Sequence, residues 1–173
     1  MNVLRIALVS LTLTACQDEP PVTGTTPPPV QAGVAAFVSV DNPNARVGEV
    51  VRVRVEVRVS AQDSFRVGSY TGRLRFDPAQ LRFRSENPIS DGMRVANANG
   101  AAQGLIRFAG ASPSGLTTLV LYDGAFEVRA AGFAPTLQLQ MEELSAALSL
   151  MNLAPRLTVN RQVFQYRAPE PRP

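Results

Sequence analysis

The sequence predicts an antiparallel β-sandwich of about nine short strands. Three observations carry that prediction. From Ala35 onward the apolar residues recur with a period of two. Turn-forming clusters interrupt the alternating runs: Asp77-Pro78, Asn97-Ala98-Asn99-Gly100, Ser112-Pro113-Ser114-Gly115 and Asp123-Gly124. No residue pattern implies a strand–helix–strand crossover, which argues against a parallel α/β sheet.

The elements follow in order. Val38-Ser39-Val40 is a first short strand. In the next, Val51, Val53, Val55, Val57 and Val59 share one face, and Arg52, Arg54, Glu56 and Arg58 share the other. The charged face reads as a solvated sheet exterior, on which Arg54 and Glu56 can pair with neighbouring strands. Residues 70–76 place Leu74 and Phe76 inward and Arg73 and Arg75 outward. Phe76-Asp77-Pro78-Ala79 is a turn, with Asp and Pro placed as type I prefers. Leu81 and Phe83 resume the inward face, with Arg82 and Arg84 outside. Residues 105–109 put Ile106 and Phe108 inside. Residues 119–122 and 125–130 read as two strands of a hairpin turning at Asp123-Gly124. Leu137, Leu139 and Met141 then alternate with Gln138 and Gln140. Residues 142–153 are ambiguous. Leu144, Leu148 and Met151, with Ala146-Ala147, fit a helix, and an irregular strand pair broken at Asn152 is the rival. The expectation is one short helical turn near 142–153. Residues 157–166, with Val159 and Val163, close the fold.

Composition removes most catalytic chemistry. The chain has no histidine and one cysteine, so neither a Ser-His-Asp nor a Cys-His arrangement can be built. Paired carboxylates could in principle cleave glycosides. Glu49, Glu56, Asp77, Asp123 and Glu127 fall on strand exteriors or in turns, with no evident cleft, so no catalytic residue is assigned and no enzyme is expected. All the basic residues are arginine, but the net charge is only +3, which does not mark a nucleic-acid binder. Asp41, Asn42 and Asn44 could offer oxygens to calcium, yet Asp-Asn-Pro-Asn is also a favourable turn composition. No metal site and no cofactor are assigned. For sugar stacking the chain has no tryptophan. Phe76, Phe83, Phe108 and Phe126 belong to the apolar face, and Tyr70, Tyr122 and Tyr166 read as scattered, partly buried rim residues.

The N-terminus has its own logic. Arg5 precedes an apolar run over residues 6–13 that is too short to cross a bilayer as a helix. The run ends in Leu13-Thr14-Ala15-Cys16, which resembles the lipobox of bacterial lipoproteins. That resemblance implies a signal peptide over 1–15 and a lipidated Cys16 as mature N-terminus. It also implies outer-membrane or cell-surface display, since Gln17, not Asp, follows the cysteine. Residues 16–34 are rich in Pro and Thr and favour an extended tether. Residues 35–168 form the sandwich, and the proline-rich 169–173 read as a frayed tail.

Within the sandwich, Val38-Ser39-Val40 followed by Val47-Gly48-Glu49-Val50-Val51-Arg52-Val53-Arg54-Val55 resembles the opening of cohesin domains. Gly72-Arg73-Leu74-Arg75-Phe76-Asp77-Pro78-Ala79-Gln80-Leu81 resembles the cohesin segment ending in aromatic-Asp-Pro-x-x-Leu, and Gly104-Leu105-Ile106-Arg107-Phe108 resembles a later strand. The resemblance covers roughly residues 38–128. It implies a nine-stranded jelly-roll sandwich, related to carbohydrate-binding modules, acting as a non-catalytic binding module. It further implies a dockerin-type protein partner linked to polysaccharide breakdown, with direct carbohydrate binding as the alternative. The face that meets the partner in cohesins carries here Arg73, Arg75, Arg107, Gln138 and Gln140.

Overall fold

A computed structural model describes residues 32–166. The leader, Cys16 and the 169–173 tail lie outside the described residues. Among the described residues nine strands form two sheets: β1 Val34–Val40, β2 Val50–Val59, β3 Val67–Arg75, β4 Leu81–Glu86, β5 Met93–Asn97, β6 Leu105–Ala111, β7 Val120–Val128, β8 Gln138–Ala146 and β9 Leu157–Gln165. One sheet has the order β4-β7-β2-β1-β9, the other β5-β6-β3-β8. All pairs are antiparallel except β1 with β9, which run parallel. The regular structure is otherwise three single 3₁₀ turns, at Ala101–Gln103, Ala134–Thr136 and Ala154–Arg156.

The period-two pattern of β2 does what it predicts. Val51, Val53, Val55 and Val57 are buried between the sheets, while Arg52, Arg54 and Glu56 lie on the outer side. Leu74, Phe76, Leu81, Ile106 and Phe108 join them in the core. Phe126 is the hub of one aromatic group, meeting Phe76 and Phe83 edge-on at centroid distances of 5.2 and 5.6 Å. Phe108 is the hub of another, between Tyr70 at 6.2 Å and Tyr122 at 5.7 Å. Two glycines make room for the tyrosines. A Cβ at Gly110 would collide with the Tyr70 ring, and one at Gly124 with the Tyr122 hydroxyl. The Asp77 turn forms as expected: its carboxylate accepts from the Ala79 amide at 2.8 Å and its carbonyl from Gln80 at 3.0 Å.

Four expectations are corrected. Asp123-Gly124 is not a hairpin; β7 runs straight through it, paired with β2 on one side and β4 on the other. Glycine is there to admit the Tyr122 ring, and Asp123 to meet arginines, so neither residue reports a turn. Residues 142–153 hold no helical turn. The strand β8 continues to Ala146, reverses over 147–151 and returns through a bridge between Ser145 and Asn152. Tyr70 and Tyr122 are core residues, not rim residues, each 1% exposed. Asp123, expected in an exposed turn, is buried.

Candidate functional site

The outer faces of the two sheets differ in how their charges are satisfied. On the five-stranded sheet, Asp123 of β7 accepts from Arg52 Nε at 2.6 Å, from Arg54 Nε at 2.8 Å and from Asn87 Nδ2 at 2.7 Å. The β2–β7 register sets Arg54 directly opposite Asp123. The Asp123 hydrogen bond raises the Arg52 pKa above its ordinary value. Ser39 donates to Glu56 at 2.8 Å, and Glu127 lies 2.5 Å from Arg84. The Arg54 guanidinium sits 4.2 Å above the Tyr166 ring, and burial pushes the Tyr166 hydroxyl up to about 12. Phe37 and Phe164, in edge contact at 5.5 Å, are buried outside the main core. The central charges of this face are satisfied within it, although the buried Tyr166 hydroxyl has no hydrogen-bond partner among the described residues.

The four-stranded sheet presents the residues that the sequence singled out. Arg73 of β3 lies opposite Arg107 of β6 and Gln140 of β8, and Arg75 lies opposite Gln138. The five residues therefore form one continuous patch. Arg73 pairs with Glu142, while its Nε is buried without a hydrogen-bond partner among the described residues. Arg75 and Arg107 are exposed, and among the described residues neither forms an ion pair. Like charges face each other across β3 and β6, an arrangement that costs stability in an isolated sheet.

The other half of the same face is apolar. Met93 and Val95 of the edge strand β5 are 77% and 63% exposed. Opposite them β6 supplies only Ala109, Gly110 and Ala111, so the surface dips into a cleft of about 340 Å³. Ser69, Thr71 and Glu143 form its far wall. Ser69 and Ser145 share a hydrogen bond of 2.7 Å, and Ser69 Oγ donates to Glu143 at 3.4 Å.

Sequence reasoning missed this apolar half. Its signal was present but inverted. In Met93-Arg94-Val95-Ala96-Asn97 the two large apolar side chains, Met93 and Val95, point out, while Arg94 points in beside Ala96. Arg94 donates through Nε to the Asp91 carbonyl at 2.6 Å, and through Nη1 to the Tyr70 hydroxyl at 3.2 Å and the Val120 carbonyl. Asp91 in turn accepts the amides of Thr117 and Thr118 at 2.7 and 2.6 Å. Those amides, Thr118 first, hold its carboxyl below the usual aspartate value. Burial pushes the Tyr70 hydroxyl up. The cluster clasps the edge strand of one sheet to β7 of the other.

Other candidates resolve into structural roles. Asp41 Oδ1 accepts from the Asn42 amide at 2.8 Å and the Arg52 amide at 2.9 Å, and Asn42 Oδ1 accepts from the Asn44 amide at 3.1 Å. These oxygens hold the β1–β2 turn. With Tyr70 and Tyr122 inside the core, the tyrosines provide no flat surface platform.

No protein-family model matches the sequence, and no curated protein matches it. Solved structures do match the fold. The sixth cohesin of scaffoldin B from Acetivibrio cellulolyticus, crystallised with a dockerin, superposes with a TM-score of 0.55 at 14% identity, over 76% of this chain and 99% of that one. A type I cohesin from Pseudobacteroides cellulosolvens gives 0.51 at 16% identity, over 79% and 94%. A non-cellulosomal cohesin from the archaeon Archaeoglobus fulgidus gives 0.53 at 15% identity, also over 79% and 94%. The nine-stranded sandwich is the cohesin fold.

Proposed function

We propose that this chain of cohesin fold is a non-catalytic binding module that holds a protein partner on the outer face of its four-stranded sheet. The carrying observation is the composition of that face: Arg75 and Arg107, without an ion pair among the described residues, at one end and an exposed apolar cleft at the other. Interfaces combine arginine anchors with apolar contact, and both are present here. The dockerin bound to the Acetivibrio cohesin supports a partner of dockerin type, and the proposal includes a link to polysaccharide breakdown through that partner. Direct carbohydrate binding is disfavoured by the burial of Tyr70 and Tyr122.

The same proposal places the module on a membrane. The lipobox-like Leu13-Thr14-Ala15-Cys16 supports lipid attachment at Cys16, with outer-membrane or surface display. The Pro- and Thr-rich residues between Cys16 and the sandwich support an extended tether, of roughly 50 Å at full reach.

Crosslinking on intact cells, followed by identification of the captured protein, tests the binding reading. Wild-type chain captures a protein, and Val95→Asp, which charges the cleft, reduces that capture at least about tenfold. Retention of the chain on a glycan array, with no captured protein, overturns the reading. Cys16→Ser tests the anchor separately: the variant leaves the membrane fraction, and unchanged retention there defeats the assignment.

A further inference from the structure

The connection between β8 and β9 carries the most exposed aliphatic side chains among the described residues. Leu148 is 87% exposed and Leu150 79%. Both sit in the left-handed backbone region, at φ 62° and 54°. Leu148 is the centre of a three-residue turn closed by the Ser149 amide on the Ala147 carbonyl at 2.7 Å. This hand of turn is rare and strained for a side-chain-bearing residue. The backbone is held there from both sides: the Ala147 amide donates to the Arg66 carbonyl at 2.8 Å and the Ala146 amide to the Met151 carbonyl at 2.9 Å. A strained turn that lifts two leucines into water is unfavourable twice over, which points from the outlier to a role.

The location narrows that role. The turn lies at the end of the sandwich where the described chain begins. There the Gly33 amide donates to Asp63 at 2.8 Å, Asp63 accepts from Arg156 at 3.2 Å, and the Ser60 amide donates to the Gly33 carbonyl at 2.9 Å. Leu148 and Met151 line one groove with Gln62, Asp63, Arg66 and Arg156, of about 620 Å³. Among the described residues Arg66 has no ion pair, so a cation stands beside Leu148. An apolar tip with a cation at its side matches the interface of an anionic bilayer. The chain from Cys16 joins the sandwich at this end, and at less than its full reach it lets this end meet the bilayer.

We propose that the 147–151 turn is a membrane-contact tip. On this reading Leu148 and Leu150 enter the headgroup region while Arg66 meets lipid phosphate. The inference rests on the proposed Cys16 tether. The strands run away from this end, so a seated tip leaves the outer face of the four-stranded sheet open to a partner.

The absence of tryptophan provides the test. The full chain is purified from the membrane fraction and reconstituted in vesicles of phosphatidylethanolamine and phosphatidylglycerol, as Leu148→Trp or as Val47→Trp. Val47 lies in the β1–β2 connection, at the opposite end of the sandwich. Flotation with the vesicles reports the tether. Emission of the single tryptophan, and its quenching by bromine-labelled lipid, report the tip. The expected result is flotation of both variants, with a blue shift and quenching only at position 148. Flotation without quenching at 148 overturns the tip and leaves the tether standing. A blue shift without bromine quenching puts a second copy of the chain on the tip and overturns it too. Quenching at both positions shows unspecific adsorption and likewise overturns the tip. Loss of flotation removes the tether, and this inference with it.

Discussion

The two outer faces of the sandwich are built from similar residues and end in opposite states. Each carries arginines at alternate positions of a central strand: Arg52 and Arg54 on β2, Arg73 and Arg75 on β3. On the five-stranded sheet the arginines of the central strand converge on Asp123, which also receives Asn87, so their charge is satisfied within the face. On the four-stranded sheet Arg73 has Glu142, but Arg75 and Arg107 have no ion pair among the described residues. An arginine-rich strand is therefore no binding signal by itself. What distinguishes an interface from a buttress is whether the neighbouring strand supplies the counter-charge.

The largest effect that follows is at Asp123. Asp123→Ala leaves two guanidiniums and one amide without their acceptor, and is expected to cost about 3 kcal/mol. Urea denaturation measures it. A loss below about 0.5 kcal/mol, the level of ordinary surface changes, would show this face to be as open as the other.

Next comes Arg94, which belongs to the open face's edge but points the other way. Arg94→Met removes the clasp to Tyr70, Val120 and Asp91 and is expected to cost about 2 kcal/mol. The loss should be local. Faster amide exchange in Met93–Asn97 is expected, with β2 unchanged, because β5 has a neighbour on one side only. Uniform loss of protection would mean that the clasp supports the whole sandwich.

These two sites also show how much of the molecule was legible in its sequence. Strong alternation revealed β2, and the glutamines of β8 and the arginines of β3 marked the candidate patch, because each strand buries one face and exposes the other. The reading failed where polarity is inverted or local signals serve packing. Met93–Asn97 alternates with arginine inward, so a rule that puts apolar residues inside could not find it. Asp123-Gly124 has the chemistry of a turn, yet both residues answer tertiary demands, one for counter-charge and one for ring space. The expected strand count of about nine was reached with one strand split at Asp123-Gly124 and one missed at β5. In 142–153, helical spacing of Leu144, Leu148 and Met151 arose by chance from a strand and an exposed turn.

A smaller effect separates the clasp from its surroundings by pH. The Thr118 and Thr117 amides stabilise the ionised Asp91 carboxylate and lower its pKa in the folded state. Such a group contributes fully at neutral pH, and its contribution is lost as pH falls through the lowered value. Asp91→Asn is expected to cost about 1 kcal/mol at neutral pH, a hydrogen-bond contribution discounted for solvent screening. The difference from wild type should shrink in acid, below the ordinary aspartate range. A gap that persists at low pH would assign the effect to shape and not to charge.

The smallest stability effect is expected where the binding effect should be clearest. Arg75→Ala with Arg107→Ala removes two exposed cations that have no ion pair among the described residues, so stability should stay within about 0.5 kcal/mol. Part of any loss is offset, because Arg107 opposes Arg73 across the strand pair and its removal relieves that repulsion. Association with the proposed partner should slow, and the salt dependence of its rate should flatten, since exposed interface charges act mainly through encounter. Stopped-flow association at low and high salt measures this. If the double variant instead unfolds more easily and binds unchanged, these arginines are buttresses like Arg52 and Arg54. The contrast between the faces would then vanish, and the apolar cleft beside Met93 and Val95 would have to carry recognition alone.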